Sequence, residues 1–165
     1  MRLGHPGRKE NANRMTNNHE HFIRQTLQLA KLAGNGGNHP FGALLERNGQ
    51  IVMEAENTVN TDRDCTAHAE LNLVRKAYPE LSQKMLSECT LYTSTEPCPM
   101  CAGAIFWAGI PRIVYSAPAS GLMGITGYGI PVSSTELLGN ASQPVEIVGP
   151  ILESEGMELH RSFWK

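Results

Sequence analysis

His68-Ala69-Glu70 and, further along the chain, Pro97-Cys98-Pro99-Met100-Cys101 are the stretches from which the rest of this sequence can be read. The first puts an imidazole two positions before a carboxylate. The second puts two thiols at i and i+3. Together they offer three soft-to-borderline ligands and one acid/base group, the donor set of a catalytic zinc with an open fourth position. At that spacing Cys98 and Cys101 share one face of a helix. Pro97 and Pro99 suit its first turn, where a backbone N–H has no intrahelical partner to lose. The cysteines are therefore expected at a helix N-terminus, whose positive end favours thiolate, the form that binds metal. His68 is expected in the first turn of another helix. A neutral imidazole and two thiolates give one Zn2+ per subunit a formally uncharged shell. Glu70 is too close to His68 in sequence to share its helical face, so it is expected to carry protons rather than to ligate. A Cys-x-x-Cys pair alone also fits a redox couple, or half of a structural zinc site completed by Cys65 or Cys89. Either alternative leaves Glu70 without a role.

Composition narrows the setting. The chain has 165 residues, 41% of them hydrophobic, which supports one domain with one core. No apolar run approaches the roughly 18 residues that cross a membrane. Met1 to Arg14 is polar and lacks the apolar stretch of a secretory signal. The four cysteines are accordingly read as intracellular, cytoplasmic thiols, with metal binding preferred to disulfides and with Cys65 and Cys89 incidental or buried. Arg2, Arg8, Lys9 and Arg14 against Glu10 make the first fifteen residues +3; the net charge of -2 then leaves -5 on the rest. An acidic body is a poor match for a long polyanion, so a small-molecule substrate is expected and nucleic acid is not. Residues 1–15 are expected to be a disordered extension and 16–165 the functional domain. Met15 stands just before the first periodic segment and is a candidate natural start.

The periodicities predict an α-β-β-α-β-α-β-β-α order. Asn17-x-x-Glu20 resembles a capping box, followed by Phe22, Ile23, Leu27, Ala30 and Ala33 at helical spacing and a stop at Gly34. Phe41 to Arg47 and Ile51 to Asn57 read as strands around the turn Asn48-Gly49. Ala67 to Ala77 reads as a helix stopped near Pro79. Cys89 to Ser94 is a strand, Pro97 to Ala108 a helix ended by Gly109, and Pro111 to Tyr115 a strand. Ala117 to Asn140 reads as a loop with short helical turns, and Val145 to Val148 as a last strand. A final helix is expected from Pro150, with Leu152, Leu159 and Phe163 on one face. This order implies a mixed sheet with helices on both faces.

Thr66-Ala-His-Ala-Glu70, Tyr92-Thr-Ser-Thr-Glu-Pro-Cys-Pro-Met-Cys-Ala-Gly-Ala104 and His39-Pro-Phe-Gly-Ala43 resemble the cytidine/deoxycytidylate deaminase-like superfamily over about Glu20 to Tyr115. The similarity is nearest to the branch of bacterial guanine deaminases, tRNA adenosine deaminases and fungal cytosine deaminases. It implies an α/β fold, a three-layer α/β/α sandwich around a mixed five-stranded sheet, and a homodimer. It also implies hydrolytic deamination, with His68, Cys98 and Cys101 holding zinc. Zinc-bound hydroxide would attack an amino-bearing ring carbon while Glu70 shuttles protons to the ring and to departing ammonia. The resemblance further places Asn57, Phe41, Trp107, the Ala69 N–H and the Glu96 carbonyl at the substrate. Two departures bear on which substrate. Ser116-Ala-Pro-Ala-Ser-Gly-Leu-Met-Gly124 replaces the Lys-Thr-Gly-Ala-type stretch of the tRNA enzymes. Ser116 to Thr135 also contains no Asp or Glu, where the guanine deaminases carry an acid for the guanine edge. A free nucleobase or nucleoside of guanine type is the expected substrate, with cytosine or cytidine and tRNA adenosine as alternatives, and a non-catalytic zinc module as a different class. Phe163-Trp164 could close a pocket, though Phe163 is expected to pack on its own core.

Overall fold

The computed structural model describes residues 7–165, with side chains from Asn18 onward. The first helix begins at Gly7, so Asn17 lies inside it and not at its cap; the side chains of 7–17 lie outside the description, and residues 1–6 lie outside it altogether.

Helix α1 (Gly7–Asn35) leads into the hairpin β1 (Gly42–Arg47) and β2 (Gln50–Glu56). Asn48 and Gly49 both take positive φ, 54° and 80°, the two-residue turn expected of that dipeptide. A short helix α2 (Val59–Asp62) precedes α3 (Ala69–Glu80) and α4 (Gln83–Leu86). Strand β3 (Thr90–Thr95), helix α5 (Pro99–Trp107) and strand β4 (Arg112–Ala117) form a parallel crossover. Then come α6 (Ala119–Thr126), α7 (Ser134–Leu138), β5 (Glu146–Val148) and α8 (Glu153–Phe163). The sheet order is β2-β1-β3-β4-β5, with β1 antiparallel to both neighbours and β3, β4 and β5 parallel. The fold is thus the expected mixed five-stranded sheet with flanking helices.

Strand alternation builds the layers. Leu44, Tyr92 and Val114 pack with Phe22, Ile23 and Leu27 of α1. Ala43, Leu45, Leu91 and Ile113 point the other way, into a core with Leu73 and Ala77 of α3 and Ile105 of α5. Each fully buried Leu or Ile here contributes about 1.5–3 kcal/mol. Strand β3 is buried on both faces, yet reads Thr-Leu-Tyr-Thr-Ser-Thr. Its apolar half lies in the two cores, and its polar half reaches the carboxyl edge of the sheet, where parallel strands leave a crevice for ligands.

Three expectations need correction. Helix α3 runs through Pro79 to Glu80, because the Leu81 N–H still reaches the Ala77 carbonyl at 2.8 Å and closes the turn around the proline. Helix α8 starts at Glu153 rather than Pro150: the Ile151 N–H donates to the Tyr115 carbonyl and the Ser116 hydroxyl to the Leu152 carbonyl, which ties this stretch to β4, and Leu152 turns the chain with a φ of 52°. Its buried face is Gly156, Met157 and His160, while Leu152 precedes the helix and Phe163 is 39% exposed. A histidine on the core face leaves no trace in an apolar periodicity.

Gly156 lets α8 approach the end of β4. A Cβ there would sit 2.5 Å from the Ser116 hydroxyl and 3.0 Å from the Ala117 amide nitrogen. Gly156→Ala should therefore push α8 off the sheet and cost about 1–3 kcal/mol, measured by urea unfolding. A wild-type midpoint would show that the approach is not needed.

Candidate metal centre and active site

His68 and Cys98 each sit one residue before a helix, as the caps of α3 and α5, and not inside the first turns as expected. Both are extended, with ψ of 153° and 166°, so each side chain leaves the backbone before the helical path begins. Pro99 opens α5, and Cys101 follows two residues later, buried. The crossing of α3 and α5 over the β3 edge brings the three groups together. His68 Nδ1 lies 3.7 Å from Cys98 Sγ and 3.6 Å from Cys101 Sγ, and all three ligand atoms fall within 4.8 Å of one another. Zinc bonds of about 2.05 Å to nitrogen and 2.3 Å to sulfur at a tetrahedral angle put N and S about 3.6 Å apart. The donor set therefore fits zinc in both chemistry and spacing. Cys65 and Cys89 do not belong to the cluster, which leaves the closed four-ligand alternative without its fourth thiol among the described residues.

The protons are arranged for this role. The Cys98 thiol is pulled down to about 4, first by hydrogen bonding from Cys101 and then by His68. The Cys101 thiol is pushed up by that same bond and by burial. His68 is raised, chiefly by its hydrogen bond with Cys98 and in part by the Glu70 charge.

Glu70, the second residue of α3, is 5% exposed. Its Oε1 accepts a 2.7 Å hydrogen bond from the Thr93 hydroxyl, which leaves Oε2 as the oxygen free to carry a proton. Burial pushes its carboxyl up, and the Thr93 bond partly offsets this. A carboxyl raised in this way holds a proton more readily than an exposed one and is better suited to take and return it. Thr93 was not singled out by the sequence. Thr93→Val should lower kcat about 10- to 100-fold, the worth of a hydrogen bond to a charged group, with KM little changed. It should also move the acid limb of the pH–rate profile upward, since Glu70 then protonates at higher pH as the pH falls. An unmoved limb would show that Thr93 does not set the carboxyl.

Other expected site residues divide. Asn57 is 1% exposed at the end of β2. Its N–H donates to the Phe41 carbonyl at 3.0 Å, its Oδ1 accepts from the Val59 N–H at 3.1 Å, and its Nδ2 is buried without a partner. Asn72 clamps this turn to the His68 loop by donating to the Glu56 and Ala67 carbonyls. Phe41 is half-buried against the core, with its ring 5.4 Å from that of His160. Ala69 is the first residue of α3, where its N–H has no intrahelical partner. Glu96 is placed at the site, but its carboxylate does unforeseen work: it accepts the Ala119 and Ser134 N–H groups at 3.0 and 2.9 Å. It thereby holds α6 and α7 as the wall of a cavity of about 300 Å³ beside Cys98. Trp107 is not brought to the cluster in the single chain. It lies nine residues beyond Cys98, half a helical turn out of phase, and its indole is 80% exposed at the end of α5.

Comparison with known proteins agrees with this geometry. Residues 16–117 match the family model for the cytidine and deoxycytidylate deaminase zinc-binding region. A probable cytosine deaminase of Schizosaccharomyces pombe is 38% identical over 152 residues, 87% of this chain and 90% of the relative. The guanine deaminase of Bacillus subtilis is 46% identical over 101 residues, 61% of this chain and 65% of the relative. Among solved structures, a guanine deaminase from Nitrosomonas europaea superposes with a TM-score of 0.79 at 25% identity, covering 88% of this chain and 84% of that one. The match spans both ligand motifs and the acid between them, so this chain belongs to the cytidine and deoxycytidylate deaminase zinc-binding family and is a zinc-dependent deaminase.

Proposed function

We propose that the protein hydrolytically deaminates a small free nucleobase or nucleoside, guanine-type first, and releases ammonia. The observation that carries this reading is Glu70: a buried carboxyl, fixed by Thr93 through one oxygen, beside a three-ligand metal set. Zinc, when bound by His68, Cys98 and Cys101, supplies the Lewis acidity that makes water a nucleophile at neutral pH. Glu70 Oε2 would accept the first proton of the attacking water and deliver it to a ring nitrogen, then take the second proton, from the hydroxyl added to the ring carbon, and give it to the departing amine. Asn57 Nδ2 and the Ala69 N–H are donors suited to the base, and the face of Phe41 is apolar surface for it.

The size of the cavity beside Cys98, about 300 Å³, suits a small ligand. Glu136 lines that cavity. It lies one residue beyond the acid-free stretch Ser116 to Thr135, and a carboxylate there can accept the paired N–H groups of a guanine edge. A second reading, cytosine or cytidine, is favoured by the yeast relative, of which this chain covers 90%. The acidic body speaks against tRNA. A homodimer, in which the exposed Trp107 would be covered, is part of the same proposal. Ammonia release should be measured over guanine, guanosine, cytosine, cytidine, adenine, adenosine and a tRNA anticodon stem-loop. Turnover of guanine or guanosine is expected. Turnover confined to the stem-loop would overturn the free-base reading.

A further inference from the structure

Among the described residues, the buried side-chain nitrogens and oxygens without a partner are Asn57 Nδ2, His160 Nδ1 and Trp164 Nε1. They surround one segment. Asn57 bonds the Phe41 backbone, the His160 ring lies 5.4 Å from the Phe41 ring, and the Trp164 ring lies 5.1 Å from that of His39. Leaving such a group unpaired costs about 1–3 kcal/mol, so each of the three, gathered on the segment 39–41, lacks a partner that the chain itself does not supply.

His160 is the informative member. Its helix, α8, packs against β4, α6 and α1, while α3 and α5 pack on the other side of the sheet. Yet its imidazole, 0% exposed, makes a 2.7 Å bond from Nε2 to Thr95 Oγ1. Thr95 and Thr93 are two apart on β3 and so point to the same face, and Thr93 holds Glu70. His160 has therefore crossed the carboxyl edge of the sheet to the catalytic side, an approach that Gly156 permits. Thr95 Oγ1 makes no other hydrogen bond among the described residues. If its hydroxyl donates to Nε2, only the Nδ1–H is left unpaired. If Nε2–H donates instead, both the hydroxyl proton and the Nδ1 lone pair are left. The first arrangement leaves fewer orphans and makes Nδ1 a donor. Burial lowers the imidazole to about 4, so this donor is neutral at physiological pH. Asn57 Nδ2 and Trp164 Nε1 are donors as well.

We propose that His160 is a specificity-determining residue whose Nδ1–H donates a hydrogen bond to a ring carbonyl oxygen of the base. The inference rests on the deamination reading above and adds to it the group that the site recognises. A site built to satisfy a buried donor rejects a ligand that lacks the acceptor.

The test compares substrate pairs that differ by that oxygen: guanine with 2-aminopurine, and cytosine with 4-aminopyrimidine. His160→Gln can still reach Thr95 with its amide but has no donor where Nδ1 stood; His160→Asn places an amide N–H near the Nδ1 position and lets go of Thr95. For the pair that the wild type turns over, kcat/KM discrimination for the carbonyl should fall about 30-fold or more in His160→Gln and be largely kept in His160→Asn. Zinc content and Tm should confirm that both variants are folded. Should His160→Gln fail to fold, Thr95→Val, which frees the imidazole to change tautomer, should lose the same discrimination. Discrimination unchanged in His160→Gln or its stand-in, or equal losses on both members of a pair, would overturn the inference and leave the deamination reading intact. A wild type inert toward every amine in the panel would overturn that reading, and the inference with it.

Discussion

Glu70→Gln loses ammonia release by about 10³-fold or more and keeps its zinc. The substitution is nearly isosteric, and its carbonyl oxygen can still accept the Thr93 hydroxyl, so the fold and the metal set should be undisturbed. What it removes is the proton-carrying oxygen, Oε2. General acid–base steps are typically worth 10²–10⁴, and here one group serves more than one transfer. The measurement is kcat beside zinc per chain by elemental analysis. Near-normal turnover would rule out the proton-carrying role. A loss of zinc together with activity would make Glu70 a structural partner of the ligands.

Cys98→Ala loses the metal and, with it, much of the stability. The residue caps α5 and supplies the ligand whose thiolate is already favoured, at about 4, by Cys101 and His68. Removing it leaves two ligands on two helices that otherwise meet across the metal. Zinc should fall well below one per chain. Because a ligand present at 100–1,000 times its Kd stabilises by about 3–4 kcal/mol, Tm should drop by about 10 °C. Undiminished zinc stoichiometry would contradict the ligand assignment.

Both predictions come from residues that sequence reading could name, and the reason is physical. A metal shell and its acid are built from short motifs, His-x-Glu and Cys-x-x-Cys, whose spacing survives whatever surrounds them. The sheet was equally legible. Leu44 and Leu45 alternate between the two cores, and Asn48-Gly49 admits few turns. The proline at 79 misled because one missing N–H near a helix end can be bypassed. The residues that set and complete the site were not legible. Thr93 and Thr95 look like ordinary strand residues until the strand is known to end at the metal. Glu96 acts through its carboxylate by collecting two amide groups more than twenty residues away. His160 lies 92 residues from His68, on the opposite layer, and no local pattern connects them. Trp107 shows the reverse case: an aromatic that resemblance assigns to the pocket lies exposed on the single chain.

Everything rests on an open three-ligand zinc centre. X-ray absorption at the zinc edge tests it most directly on the protein as purified. One nitrogen at about 2.0–2.1 Å, two sulfurs at about 2.3 Å and one further light atom from solvent are expected. A shell of three or four sulfurs, or one filled entirely by protein ligands, would contradict it.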